Sequence, residues 1–269
     1  MGQPDPQTRA SSYADYLHLG EVLGAQHPLS GQHDEMLFIV MHQVSELWMK
    51  LALYELRAAR DFVRADAIAQ ALPLLTRVGL LQQQLLRSWD VFATISPLQF
   101  AAFRDALGSS SGFQSAQYRL LEFLMGQKSA ATLAVFREEP ASHAALQRAF
   151  ADPGIYDEAL RHLARRGFAV PAAVLGRDVT EAYRADSGVE AAWLAVYRAA
   201  DRYRDQYQLG ERLVDIDHNF QLWRHAHLKT ADRVIGSQAG TGGTSGVSYL
   251  SRTLDLKFFP ELWAIRTSL

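Results

Sequence analysis

Three histidines fall within residues 212–235, and only one of them shares a face with the apolar residues there. At 3.6 residues per turn, Leu213, Ile216, Phe220, Trp223, His227, Ala231 and Val234 form one continuous stripe, which puts His227 on the buried side of a helix. His218 and His225 project from the opposite side, among polar neighbours such as Asp215 and Gln221. An imidazole on such a stripe is either a hydrogen-bonded core residue or an axial ligand to a buried cofactor. A glycine-rich run, Gly240-Thr241-Gly242-Gly243-Thr244-Ser245-Gly246, follows directly. It lacks the Gly-Lys-Ser/Thr ending of a P-loop, and no strand precedes it as a dinucleotide fingerprint requires. The run is either a linker or a loop that closes over a site, since the apolar stretch 258–263 takes the chain back to the core.

A second imidazole, His42, lies on a long helix expected over 33–65. Its main stripe is Leu37, Met41, Val44, Trp48 and Leu51. A narrower stripe of Phe38, His42, Ser45 and Met49 sits about 110° round the wheel. Such a helix is buried between two layers with His42 on a backbone carbonyl, or His42 faces a site. Phe100 and Arg104 are likewise one turn apart, just before a loop of serines, 109–111. That arginine can clamp a carboxylate through two parallel bonds, or simply pair with a neighbouring acid such as Asp105.

Spacing removes several metal chemistries. Glu-x-x-His and His-Glu-x-x-His are both absent, and His225 and His227 point to different faces of their helix. There are no cysteines, which excludes disulfides, cysteine zinc sites, thiolate-ligated haem and covalent c-type attachment. One axial imidazole with a second imidazole elsewhere survives, a pattern that suits b-type haem.

These residues must be positioned by helices, because the hydrophobic period is helical almost throughout and no strand alternation persists. Helices are expected at 13–25, 33–65, 74–92 (marked by Leu74, Val78, Leu81, Leu85, Trp89 and Phe92), 97–107, 113–125, 188–208 and 212–235, with a break near Gly210. Ser96-Pro97-Leu98-Gln99 reads as a capping box with proline at the first helical position. Residues 129–186, interrupted at Pro140, Pro153, Pro171 and Gly176, read as a less regular insertion of short helices, and 1–12 as a polar arm. The expected fold is all-α, in one domain spanning 1–269. The 269 residues are 48% hydrophobic, enough for a sizeable core. A net charge of −2 with mixed signs argues against a nucleic-acid surface. No secretion signal, myristoylation site or uninterrupted membrane-length apolar run is visible, so a cytoplasmic protein without membrane attachment is expected.

Several blocks then coincide. They include Ala25-Gln26-His27-Pro28-Leu29-Ser30, His42-Gln43-Val44-Ser45-Glu46-Leu47-Trp48, Phe103-Arg104, Ser111-Gly112-Phe113-Gln114-Ser115 and Gln117-Tyr118-Arg119. Further on come Gln221-Leu222-Trp223-Arg224, His227, Arg233-Val234-Ile235-Gly236, Gly240-Thr241-Gly242-Gly243 and Phe258-Phe259-Pro260-Glu261-Leu262-Trp263. In this order, from Tyr13 to Thr267, the chain resembles the tryptophan 2,3-dioxygenase family.

The resemblance implies an all-α haem b enzyme, ferrous when active, that inserts both atoms of O2 into the indole ring of L-tryptophan. The product is N-formyl-L-kynurenine, the first step of tryptophan catabolism through kynurenine. It also implies residue roles. His227 is the proximal haem ligand, and His42 the distal histidine facing the indole N–H; because that N–H is too weakly acidic for easy removal by imidazole, His42 is expected to orient the substrate more than to act as a base. Phe38 packs on the indole, Arg104 holds the carboxylate, Thr241 bonds the ammonium or carboxylate group, and Ser111 lies near bound oxygen. Tyr13 and Tyr16 match a pair reaching into a neighbouring subunit, which implies a homotetramer. Phe100 stands in the substrate pocket where some members carry tyrosine, Tyr54 stands where histidine is common, and His225 is an extra imidazole. The alternatives are a related haem enzyme acting on another indole or aromatic amino acid, and a non-catalytic haem or tryptophan sensor. Arg104 with Thr241 favours a substrate bearing both carboxylate and amine.

Overall fold

In a computed structural model, residues 12–238, 240–241 and 246–269 are described. The arm expected over 1–12, apart from Ser12, and Gly242, Gly243, Thr244 and Ser245 of the glycine run lie outside the described residues. Two short helices, α1 (Tyr13–Tyr16) and α2 (Leu19–Leu23), precede two long ones, α3 (His33–Arg64) and α4 (Ile68–Phe92). Next come α5 (Pro97–Arg104), α6 (Ala116–Leu124), α7 (Ala130–Val135), α8 (Pro140–Ala151), α9 (Ile155–Arg165), α10 (Ala172–Leu175) and α11 (Ser187–Arg198). The long α12 (Arg204–Ile235) and the short α13 (Val247–Ser251) and α14 (Pro260–Ala264) complete the order. The fold is all-α, with no strand among the described residues.

Helix α4 packs between α3 and α12, and these three long helices form the frame of the site. Apolar residues at helical spacing drive this packing: Leu53, Leu56 and Val63 of α3, Leu75, Val78 and Leu85 of α4, and Leu213, Ile216 and Phe220 of α12 are all buried. The 129–186 segment is made of short helices, as its prolines and glycines dictate. Within it α9 is fully engaged: Ile155, Ala159 and Leu163 are wholly buried, and the helix packs on α3.

Boundaries moved in three places, each for a physical reason. The helix expected over 13–25 is split at His18, which adopts a left-handed conformation with φ 50°. Helix α4 starts at Ile68, not Leu74, and takes Pro73 in its second turn at the cost of one backbone bond. Helix α12 runs through Gly210 without a break, and the chain turns instead between α11 and α12. Gly210 is there for close packing: a Cβ on it would lie 2.9 Å from the Tyr197 hydroxyl and 3.2 Å from the Trp193 ring.

Helix α3 also corrects an expectation about membranes. Counting uninterrupted apolar runs finds no span, yet α3 holds an 18-residue window of mean hydropathy 1.3, long and apolar enough to cross a membrane by length and composition. Only 17% of that window is buried, although α3 packs against α4, α6 and α9 elsewhere along its length.

Candidate functional site

Between α3, α4, α5, α6 and α12 lies a cavity of about 260 Å³. Its walls bring together seven of the residues singled out from sequence: Phe38, His42, Phe100, Arg104, Ser111, Thr241 and His227. The stripe on α12 explains the placement. Leu213, Ile216 and Phe220 below and Val234 above are buried, while Trp223, His227 and Ala231 between them line the cavity. His218 and His225 are exposed, on the outer side as periodicity predicts.

His42 sits on the second stripe of α3, where its ring meets a backbone carbonyl and also lines the cavity. Its Nδ1 lies 2.8 Å from the Phe38 carbonyl oxygen. A carbonyl only accepts, so Nδ1 carries the proton and Nε2 of the neutral ring keeps its lone pair. Burial lowers the His42 pKa, opposed by the Phe38 carbonyl and by Glu46 one turn along. The ring lies against Phe38 at a centroid separation of 4.2 Å. Phe38 in turn contacts Phe92, Phe100 and Phe103, so an aromatic cluster fixes the wall from which His42 projects.

His227 has a different setting. Its ring stacks on Trp89 of α4, with centroids 4.6 Å apart and planes 11° from parallel, and Trp223 flanks it at 5.4 Å. Burial pushes its pKa down to about 4, with nearby His42 adding to the effect. A neutral imidazole is the form that ligates a metal.

The polar groups fall into two sets. One surrounds Arg104, at the end of α5, whose start is fixed by the Ser96–Gln99 capping box. Arg104 Nη1 donates to the Gln238 side-chain oxygen, and the Thr241 hydroxyl to the Ser110 carbonyl. Ser111 caps the turn that follows, accepting from Phe113 N at 3.3 Å. The other set is buried. Glu122 pairs with Arg119 at 2.7 Å and with Arg224 at 3.2 Å. Arg224 also donates to the carbonyls of Thr253 and Leu256 and lies over the Phe220 ring at 4.7 Å. Sequence reading did not assign this second set to the site, nor Trp89. Arg119 and Glu122 at i, i+3 was the available signal, but Arg224 joins them from 102 residues away.

Tyr13 and Tyr16 stand apart from the cavity, 76% and 74% exposed on α1. Tyr54 is also exposed, on the outer face of α3. Phe100 is buried at the cavity wall and packs on Phe38 and Phe103.

The residues on these walls, mostly apolar and aromatic with two imidazoles, suit a buried apolar prosthetic group that one imidazole would hold. His227 is a neutral donor on one helix and His42 a non-identical imidazole on another. Trp89 adds a buried indole N–H with no hydrogen-bond partner among the described residues, an unmet donor beside the ligand position. Among the described residues no group of three or more histidine, aspartate or glutamate side chains could hold a bare metal ion.

The family model described as tryptophan 2,3-dioxygenase matches residues 2–147 and 149–269. A tryptophan 2,3-dioxygenase from Bordetella pertussis (strain Tohama I) is 54% identical over 261 residues, covering 97% of this chain and 92% of the relative. One from Polaromonas naphthalenivorans (strain CJ2) is 54% identical over 262 residues, covering 97% and 93%. One from Bacillus thuringiensis (strain Al Hakam) is 49% identical over 258 residues, covering 96% and 92%. Matched across nearly its whole length, the chain belongs to the tryptophan 2,3-dioxygenase family.

Proposed function

We infer that this protein is a haem-dependent dioxygenase that cleaves the indole ring of L-tryptophan to N-formyl-L-kynurenine. Family membership over the whole chain carries the activity. One observation carries the assignment of residues: His42, His227 and Arg104 converge on a single cavity from three separate helices. Haem b, ferrous in the working enzyme, is the form that suits a cysteine-free chain with a lone imidazole ligand. When bound, it supplies the O2 chemistry, and both oxygen atoms end in product, so no reductase partner is required.

His227 would hold the haem iron, its ring kept in place by the stack on Trp89. His42 orients the substrate. With its proton on Nδ1, its Nε2 accepts from the indole N–H, a group too weakly acidic for easy removal by imidazole. Phe38 and Phe100 supply apolar contact for the ring, and Ser111 a hydroxyl in the same cavity. Arg104 takes the carboxylate and Thr241 the ammonium or carboxylate group, because a zwitterion leaving water needs a partner for each charge.

One main core draws on residues from Met49 to Ile265, which supports reading the whole chain as one domain, with 129–186 built into it. A homotetramer accounts for the apolar residues left in water on α1, α2 and α3: Tyr13, Tyr16, Leu23, Leu47, Leu51 and Tyr54. Tyr13 and Tyr16 then reach a neighbouring copy's site. We place the protein in the cytoplasm, with L-tryptophan and O2 as its small-molecule partners and neither nucleic acid nor membrane as a partner.

The test is to supply ferrous haem-loaded protein with L-tryptophan and O2 and to measure N-formylkynurenine. Indole and tryptamine run alongside: product from tryptophan alone supports the reading, and equal turnover of indole overturns it in favour of a broader indole oxygenase. Haem and tryptophan binding without product supports a sensor instead.

A further inference from the structure

Two carboxylates line the cavity, Glu46 and Glu122, and their partners differ. Glu122 is shared by Arg119 and Arg224, so its charge is cancelled. Glu46 stands on α3 one turn beyond His42, at the i, i+4 spacing that makes side chains neighbours on one helix face. Among the described residues its carboxylate bonds only to a neutral amide, that of Gln117 on α6. Gln117 Nε2 donates to the Glu46 carbonyl oxygen at 2.8 Å and to Glu46 Oε2 at 2.7 Å. A tie between α3 and α6 needs only the first of these bonds. The second fixes a negative charge beside His42 without neutralising it.

That charge acts on an imidazole whose tautomer is already set. The proton of His42 is on Nδ1, held by the Phe38 carbonyl, and the lone pair is on Nε2. A fixed negative charge nearby favours positive charge on the ring and makes Nε2 a stronger acceptor. Burial lowers the His42 pKa, and Glu46 works against it. The demand on the acceptor also grows during the reaction. As the indole ring gives electron density to oxygen, its nitrogen becomes positive and its N–H a stronger donor, with the N–H bond kept. A hydrogen bond that strengthens in this way lowers the barrier without tightening substrate binding.

We propose that Glu46 is a positioning residue acting through His42: its carboxylate, fixed by Gln117, polarises the imidazole and strengthens its hold on the indole N–H as the ring is attacked. This rests on the proposed contact between His42 Nε2 and the indole N–H.

The experiment measures kcat and KM for L-tryptophan, and its Kd by optical titration, in haem-loaded wild type, Glu46→Gln, Glu46→Asp, His42→Ser and the double variant of Glu46→Gln with His42→Ser. Glutamine keeps the side chain's length and still accepts from Gln117, but removes the charge, whereas aspartate keeps the charge. The expected result is a kcat lowered about tenfold in Glu46→Gln, the scale of one partly screened charge, with KM and Kd within about twofold of wild type. Glu46→Asp retains more of the rate than Glu46→Gln, and in the His42→Ser background Glu46→Gln has no further effect. A wild-type kcat in Glu46→Gln overturns the proposal. A raised KM at unchanged kcat, an equal loss in the Gln and Asp variants, or a loss that persists beside His42→Ser overturns it too. Melting curves of the same variants guard against misfolding, because collapse of both Glu46 variants would make Glu46 scaffold and overturn the proposal as well. His42→Ser turning over tryptophan like wild type instead overturns the contact with the indole, and absence of product from wild type overturns the activity, outcomes distinct from the others.

Discussion

The cavity has two arginine-bearing ends that solve opposite problems. They lie on either side of His227 along α12, since Arg224 and Ile235 are eleven residues, about 16 Å, apart on a helix. At one end Arg119 and Arg224 are buried, share Glu122, and are enclosed by aromatic rings and backbone carbonyls. At the other, Arg104 is half-buried and holds a neutral amide. A buried arginine with a fixed carboxylate is committed to structure, because removing its partner strands a charge in low dielectric. Arg104 is only partly buried, at the cavity wall, where we propose that it meets the substrate carboxylate. Identical side chains thus separate by burial, one pair locked to a fixed carboxylate inside the fold and one arginine left at the edge of the cavity.

The largest effect expected from this contrast is at the closed end. Glu122→Gln leaves Arg119 and Arg224 facing a neutral group, and should lower unfolding stability by about 3–5 kcal/mol in a denaturant titration of the apo protein. A loss below 1 kcal/mol would erase the distinction between the two ends. At the open end, Arg104→Ala should weaken L-tryptophan by about 1.5–3 kcal/mol, the scale of a charge-assisted bond, with stability close to wild type. A substitution that instead unfolds the protein would make Arg104 scaffold as well.

His42 belongs to the substrate side of the same contrast. If it orients rather than abstracts, His42→Ser retains turnover at a cost of about 1–2 kcal/mol in kcat/KM, one neutral hydrogen bond. Complete loss of turnover with tryptophan affinity intact would assign it the base role instead.

The smallest effect lies outside the cavity, where an arginine–carboxylate pair is partly open to water. Asp66, in the left-handed region at φ 59°, receives Arg165 and His162 at the end of α3. Arg165's hydrogen bond, above all, lowers its pKa from 3.8 to about 2. A depressed carboxylate contributes stability that is present above the unfolded value and is lost as pH falls through the folded one. Asp66→Asn, which tolerates the same backbone, should cost up to about 1 kcal/mol at pH 7. That difference should vanish between pH 3.8 and 2, as melting curves across that range would show.

The sequence made the two histidines legible for one reason: each sits on a stripe whose period is local. The α5 capping box was legible for the same reason, with every partner within three residues. Gly210 was misread as a break because its role depends on Tyr197 and Trp193 of a different helix. The Arg119–Glu122–Arg224 set was hidden similarly. So was Gln238, a polar residue in a turn that gives no periodic signal. Local pattern reports which side of a helix is buried, whereas partners brought together by packing have no spacing to read.

Every role proposed for the cavity turns on His227, and not His42, holding the haem. Optical titration of haem into His227→Gly, His42→Ala and wild type, with and without added imidazole, addresses this directly. We expect His227→Gly to lose the axially ligated haem spectrum and to regain it with imidazole, while His42→Ala loads haem as wild type does. Retention of the wild-type spectrum by His227→Gly, with its loss in His42→Ala, would reverse the two roles and contradict the site as built here.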